Sequence, residues 1–209
     1  MQTIIRQLRA AAAPLSPITP RAIQPMFPAT PAANLAANLP HVLAALTAAG
    51  LTDTPMLLMA LATIRAEAES FLPIAEGISR FNTSPGGHPF DLYDHRADLG
   101  NQGPPDGASF RGRGFVQLTG RANYTRYAAE LSLDLVLNPD LACEPATAAR
   151  LLAHFLAARQ TAIRHALAEN NLAAARRLVN GGSHGLGRFT AAYQTGQTIF
   201  ANRELRTGN

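Results

Sequence analysis

Read at about 100° per residue, the apolar positions mark helices in the first and last thirds of the chain and almost none in the middle. From Thr54 to Phe71, the residues Leu57, Ala60, Leu61, Ile64, Ala68 and Phe71 share one stripe, with Thr54 as N-cap and Pro55 in the first turn. A shorter helix is expected from Pro40 to about Ala49, closed by Gly50. Helical patterns return over residues 121–131 and over 146–168, where Leu152, Phe155, Leu156, Ile163 and Leu167 recur on one face behind Pro145. Two more helices are expected at 171–179 and 188–201, separated by the glycine cluster NGGSHGLG. Residues 77–114 are rich in Gly, Pro, Asp and Asn, and read as loop with at most short strands.

Prolines at 14, 17, 20, 25, 28, 31 and 40 fix φ and remove backbone donors, so residues 1–39 read as an extended lead-in and 40–209 as the folded domain. The expected fold is mainly α, with a loop-built central cleft and at most a short β element. Long loops in compact domains often carry function.

Composition narrows the chemistry. The chain of 209 residues is 47% hydrophobic, enough for one good core. Cys143 is its only cysteine, so neither an intrachain disulfide nor paired metal-binding thiols can form. All 18 basic residues are arginines, which excludes a Schiff-base lysine and a P-loop lysine. A net charge of +4 favours an anionic partner: nucleic acid, a membrane surface or a polyanionic cell wall. No stretch approaches the roughly 18 apolar residues of a membrane span, and the amino terminus has arginines inside its only apolar run. Neither membrane insertion nor a conventional signal peptide is expected. The six histidines are scattered and no H-E-x-x-H or G-x-S-x-G motif occurs, so no metal, cofactor or serine nucleophile is expected.

Acid–base hydrolysis of a glycosidic bond needs two placed carboxyl groups. Glu67 falls at the margin of the apolar stripe and Glu69 on the opposite side, and a carboxyl among apolar neighbours keeps its proton more readily. That makes Glu67 the better candidate acid on helical geometry, with an ordinary boundary glutamate as the rival reading.

Downstream, the run FRGRGFVQLTGRANY, Phe110 to Tyr124, resembles the signature of family 19 chitinases and related phage endolysins: GRG-x-x-Q-[LI]-[ST] followed by Asn-Tyr. The preceding DLGNQGPPDG and the later VNGGSHG resemble the loop before that signature and the NGG turn of the same group. Ala66-Glu67-Ala68-Glu69-Ser70-Phe71 resembles the endolysin helix end His-Glu-Ser-Gly-Gly-Phe, with the glutamate-to-phenylalanine spacing kept but the histidine and both glycines absent. The resemblance covers residues 40–200. It implies a lysozyme-like, two-lobed helical fold, Glu67 as general acid, Glu76 as general base with inversion, and Thr119 as holder of the attacking water. Asp91, Asp94 and Asp98 are the rivals of Glu76.

The resemblance further implies substrate contacts at Gln117, Asn123, Tyr124 and Asn180, and at Arg113, which could instead pair with acidic loop residues. Gln117 and Thr119 alternate with Val116 and Leu118 as on a short strand. A buried Tyr124 and a helix end at Asn180 capped by Gly181 are equally open. Arg176 and Arg177 read as a solvated helix face. The expected activity is hydrolysis of β-1,4 bonds in peptidoglycan glycan strands by a monomer without a specific nucleic-acid partner. Such a chain would be made in the cytoplasm and act at the wall after release or delivery. Chitin hydrolysis, or a catalytically silent wall-binding module, are the alternatives.

Overall fold

The computed structural model describes residues 18–182 and 184–207, with side chains to residue 202. The first part of the chain folds into α1 (Pro20–Ile23), a 3-10 turn (Gln24–Met26), α2 (Ala32–Ala48) and α3 (Thr54–Glu67). The middle carries two short helices, α4 (Asp91–Asp94) and α5 (Asp106–Ser109). The remainder forms α6 (Arg121–Leu131), α7 (Pro145–Ala157), α8 (Gln160–Ala168), α9 (Leu172–Asn180) and α10 (Leu186–Thr207). Among the described residues the only β pairing is a pair of isolated bridges, Ala75 with Arg113 and Arg113 with Leu118.

Helix α3 is the centre of the core. Every residue from Met56 to Ile64 is buried, together with Ala66. The apolar stripe read from the sequence was too narrow because α10 packs along a second side of the helix. Gly196 makes that contact close: a Cβ there would stand 2.4 Å from Leu58 Cδ2 and 3.0 Å from Met26 Cε. The N-cap is Asp53, whose carboxylate accepts from Met56 N at 3.3 Å, one residue before the expected Thr54. The helix stops at Glu67 rather than Phe71, because Phe71 takes a left-handed φ of 55° and Pro73 follows.

The extended lead-in is corrected over residues 18–39, while Pro14 and Pro17 lie outside the described residues. Its prolines do not interrupt helices; most of them start helices. Pro20 opens α1 behind the Thr19 cap, Pro25 opens the 3-10 turn and Pro31 is the N-cap of α2. Helix α2 then runs through Pro40, which sits inside it. Ile23, Met26, Phe27, Leu35 and Leu39 are all in the core. Phe27 meets Phe71 edge-on at 4.9 Å, and Phe71 meets Phe115 at 5.8 Å. Thr30 Oγ1 donates to the Glu69 carbonyl and Asn34 Nδ2 to the Ser70 carbonyl. The N-terminal segment therefore clamps the turn that follows Glu67, and the domain boundary at residue 39 does not exist.

The single helix expected over 146–168 is two helices broken at Ala158 and Arg159. Helix α2 packs on α7, and α8 on α9. Residues 68–120 form the loop-built lobe. There the buried Asp94 accepts from Gly107 N, and Asp106 pairs with Arg121 at the start of α6.

Candidate active site

Two adjoining cavities of about 300 and 410 Å³ share Glu67, Gln117, Thr119 and His184 in their walls. The smaller adds Glu76, Tyr93, Gly112 and Arg188; the larger adds Asn123, Phe155, Arg159 and Asn180. The groove formed in this way lies between the last turn of α3, the 112–119 loop, the break after α7 and the turn that ends α9. Six of the eight residues predicted for the site thus line one groove.

Glu76 is held from three sides. Its Oε1 accepts from Asn82 Nδ2 and Tyr93 Oη, both at 2.9 Å, and its Oε2 accepts from Gly112 N at 3.2 Å. Its own N–H donates to the Gly112 carbonyl at 2.7 Å, pinning the backbone to the same segment. Burial, then the negative charge of Glu76, push the Tyr93 phenol up to about 12, so it stays a donor to the carboxylate at neutral pH. The rival carboxylates are engaged elsewhere: Asp91 with Ser84, Asp94 with His88 and Gly107 N, Asp98 with Arg96.

Residues 114–117 form a tight turn between the bridged Arg113 and Leu118, in place of the strand expected over 116–119. Gln117 takes a φ of 50° and donates through Nε2 to the carbonyls of Ile74 and Gly114. With both amide hydrogens used, Oε1 is left as an acceptor. Thr119 donates its hydroxyl to the Gln117 carbonyl, so its oxygen also faces a ligand as an acceptor. A Cβ placed on Gly112 would lie 2.8 Å from Gln117 Oε1, 3.2 Å from Glu76 Oε2 and 3.3 Å from Thr119 Oγ1. These three oxygens therefore surround one small space, and only glycine leaves it open.

Glu67 sits at the end of α3 with its side chain 14% exposed, and Arg176 Nη2 donates to its Oε1 at 2.6 Å. Its setting is thus a buried ion pair and not the apolar margin read from the helical wheel. Arg176 is fully buried on α9, and also donates to the His184 carbonyl. The solvated face expected for Arg176 is corrected. Leu172 and Val179, one turn away on either side, and the adjacent Ala175 mark it in the sequence as lying on the apolar face of that helix. Glu69 lies beyond the helix end, 47% exposed, between Arg65 and Arg188.

Two predicted contacts are overturned. Arg113 is 3% exposed and spends its guanidinium on Asp140, the Ser109 and Arg111 carbonyls and Tyr124 Oη. Tyr124 is fully buried, donates to the Arg111 carbonyl and meets the Phe110 ring at a tilt. Both fix the loop from behind, because an arginine aimed inward beside a buried phenol satisfies backbone carbonyls that water cannot reach. Asn123 does line the groove, and its Nδ2 donates to the Thr119 carbonyl. Asn180 lines it too, while bonding the His184 carbonyl and Gly182 N, and Gly181 caps α9 with a φ of 72°. Asn82, Tyr93, Arg159 and His184 were not anticipated: Asn82, Tyr93 and His184 fall where no helical or strand period guides the eye, and Arg159 falls at the break inside the single helix expected over 146–168.

No family profile matches the sequence, and no curated protein matches it. Solved structures do. Chitinase C from Streptomyces griseus superposes with a TM-score of 0.60 at 20% identity, over 88% of this chain and 76% of that one. A bacterial family 19 chitinase superposes with a TM-score of 0.59 at 20% identity, over 87% of this chain and 94% of that one. The chain has the lysozyme-like helical fold of these chitinases.

Proposed function

We propose that this chain is a glycoside hydrolase of the family 19 type that cuts β-1,4 bonds in the glycan strands of peptidoglycan, with Glu67 as general acid and Glu76 as general base. The observation that carries the reading is the convergence of Glu76, Thr119 and Gln117 around the space beside Gly112, in a groove whose wall also holds Glu67.

A water there can donate one hydrogen to Glu76 Oε2 and the other to Thr119 Oγ1. A lone pair is then free to attack the anomeric carbon while Glu67 protonates the leaving oxygen. Such a reaction inverts the anomeric centre and needs carboxyl groups roughly 6.5–9.5 Å apart. The bonds from Asn82, Tyr93 and Gly112 fix the orientation of the base. No step calls on a metal or cofactor.

Chitin is the second reading, favoured by the chitinases that share the fold. The net charge of +4 favours the anionic polymer. Mass spectrometry of products from purified peptidoglycan and from chitin oligomers separates the two. The reducing-end sugar identifies the bond, and its anomeric form in fresh proton spectra tests inversion. Binding to walls without any product would leave only the silent-module reading.

A further inference from the structure

Two arginines line the groove, Arg188 and Arg159, and buried Arg176 stands behind its wall. Arg176 is matched by Glu67 and Arg188 by Glu69, whereas Arg159 has no such match. It lines the larger cavity with Glu67, Asn180 and His184, and among the described residues no carboxylate lies within ion-pair distance of it. Its guanidinium carbon stands 3.8 Å from the centre of the Phe155 ring, and Nη1 donates to the Phe155 carbonyl at 3.3 Å. The break between α7 and α8 is what turns it to the groove, since Arg159 is the non-helical residue at the start of α8.

A guanidinium held flat on an aromatic ring is pre-oriented, and its remaining donors form a planar fork suited to carboxylate. A neutral sugar arriving beside it would strip water from an unpaired cation and return no charge. A ligand carrying a carboxylate would replace that water with a charge-assisted bond. Strands of N-acetylglucosamine alone carry no such group, whereas muramyl residues carry a lactyl arm that ends in a carboxylate, free or extended by peptide.

Resting on the reading of this groove as a glycan cleft, we infer that Arg159 on Phe155 forms a subsite for the carboxylate of the muramyl substituent and sets a preference for peptidoglycan over chitin.

The test is binding to the full chain carrying Glu76→Gln, which blocks turnover, with Arg159 intact or replaced by Met or Lys. Calorimetry compares three probes: neutral N-acetylglucosamine oligomers, amidase-stripped glycan fragments with free lactyl carboxylates, and peptide-bearing muropeptides. The intact protein should prefer an anionic probe to the neutral one, and Arg159→Met should reduce that ratio about tenfold. Raising salt should erode the ratio in the Arg159 protein and not in the Met variant. Arg159→Lys should restore part of the ratio, and does so only if charge and not fold integrity was lost. The probe showing the greater loss identifies the source of the carboxylate, lactyl or peptide. A ratio unchanged by Arg159→Met, or an equal loss for neutral oligomers, overturns the subsite. Hydrolysis of any glycan by the unmodified chain is scored separately: binding preference without cleavage would support the subsite and remove the hydrolase reading.

Discussion

Replacing Gly112 by alanine would put one methyl group into the space where Gln117 Oε1, Glu76 Oε2 and Thr119 Oγ1 meet, at 2.8, 3.2 and 3.3 Å. The first of these distances is shorter than any real Cβ contact, so the Gln117 side chain has to move by roughly half an ångström. Gly112 does not need a left-handed φ, so the backbone accepts alanine and the effect is confined to the three side chains. The methyl also crowds the adjoining space assigned to the attacking water. Misplacement on this scale reduces rate by about 100-fold, or roughly 2.7 kcal/mol of barrier, while overpacking of three movable side chains should lower stability by only about 1 kcal/mol. The assay is kcat/KM on glycan substrate beside a thermal melt, with Gly77→Ala as control. Gly77 lies one residue from Glu76, and a Cβ added there would meet nothing within 4 Å, so that variant should match wild type. A Gly112→Ala protein within about threefold of wild-type kcat/KM would refute the water position.

Other consequences can be measured in the same way. Arg176→Met leaves Glu67 beside a buried apolar side chain, and should lower stability by about 3 kcal/mol; adding Glu67→Gln should recover part of the loss, and no recovery would mean the ion pair is not the cause. A chain begun at residue 32 loses buried Ile23, Met26 and Phe27, each worth about 2–5 kcal/mol against a typical total of 5–15, so its calorimetric melt should lose cooperativity; a wild-type transition would show the segment to be dispensable. The bond from Arg121, with a further one from Gln102 N, holds Asp106 below the usual carboxylate range. A carboxyl with a depressed native pKa stabilises the fold fully above about pH 4 and loses that contribution as pH falls further. Melts between pH 7 and 2 should therefore show a fall that Asp106→Asn flattens, and identical curves for the two proteins would reject the assignment.

Helix ends were legible in the second half of the chain: Pro145 as the first residue of α7 and Gly181 after α9 stand where capping physics puts them. The groove was legible because Glu67, Glu76, Gln117, Thr119, Asn123 and Asn180 sit at positions matching a long motif, and all six line it. What composition obscured was the N-terminal segment, where a high proline density reads as linker although each helix start has room for one proline without losing a bond. Arg113 and Tyr124 show the complementary difficulty: their residue types suggest solvent or ligand, but they bond each other in the interior across 11 positions. The apolar neighbours of Arg176 mark its burial, whereas its counter-ion Glu67 stands 109 positions away, where local sequence does not display it.

That last separation bears on when the site comes into being. Helix α3 emerges from the ribosome long before α9, and the Glu67–Arg176 bond closes a span of 109 residues. Contacts of such length form late in folding, after local helices have condensed. A nascent chain that has not reached α9 thus carries Glu67 without its counter-ion and without the α9 turn that walls the groove. The groove would therefore stay open on one side until α9 has been synthesised and has docked on α3.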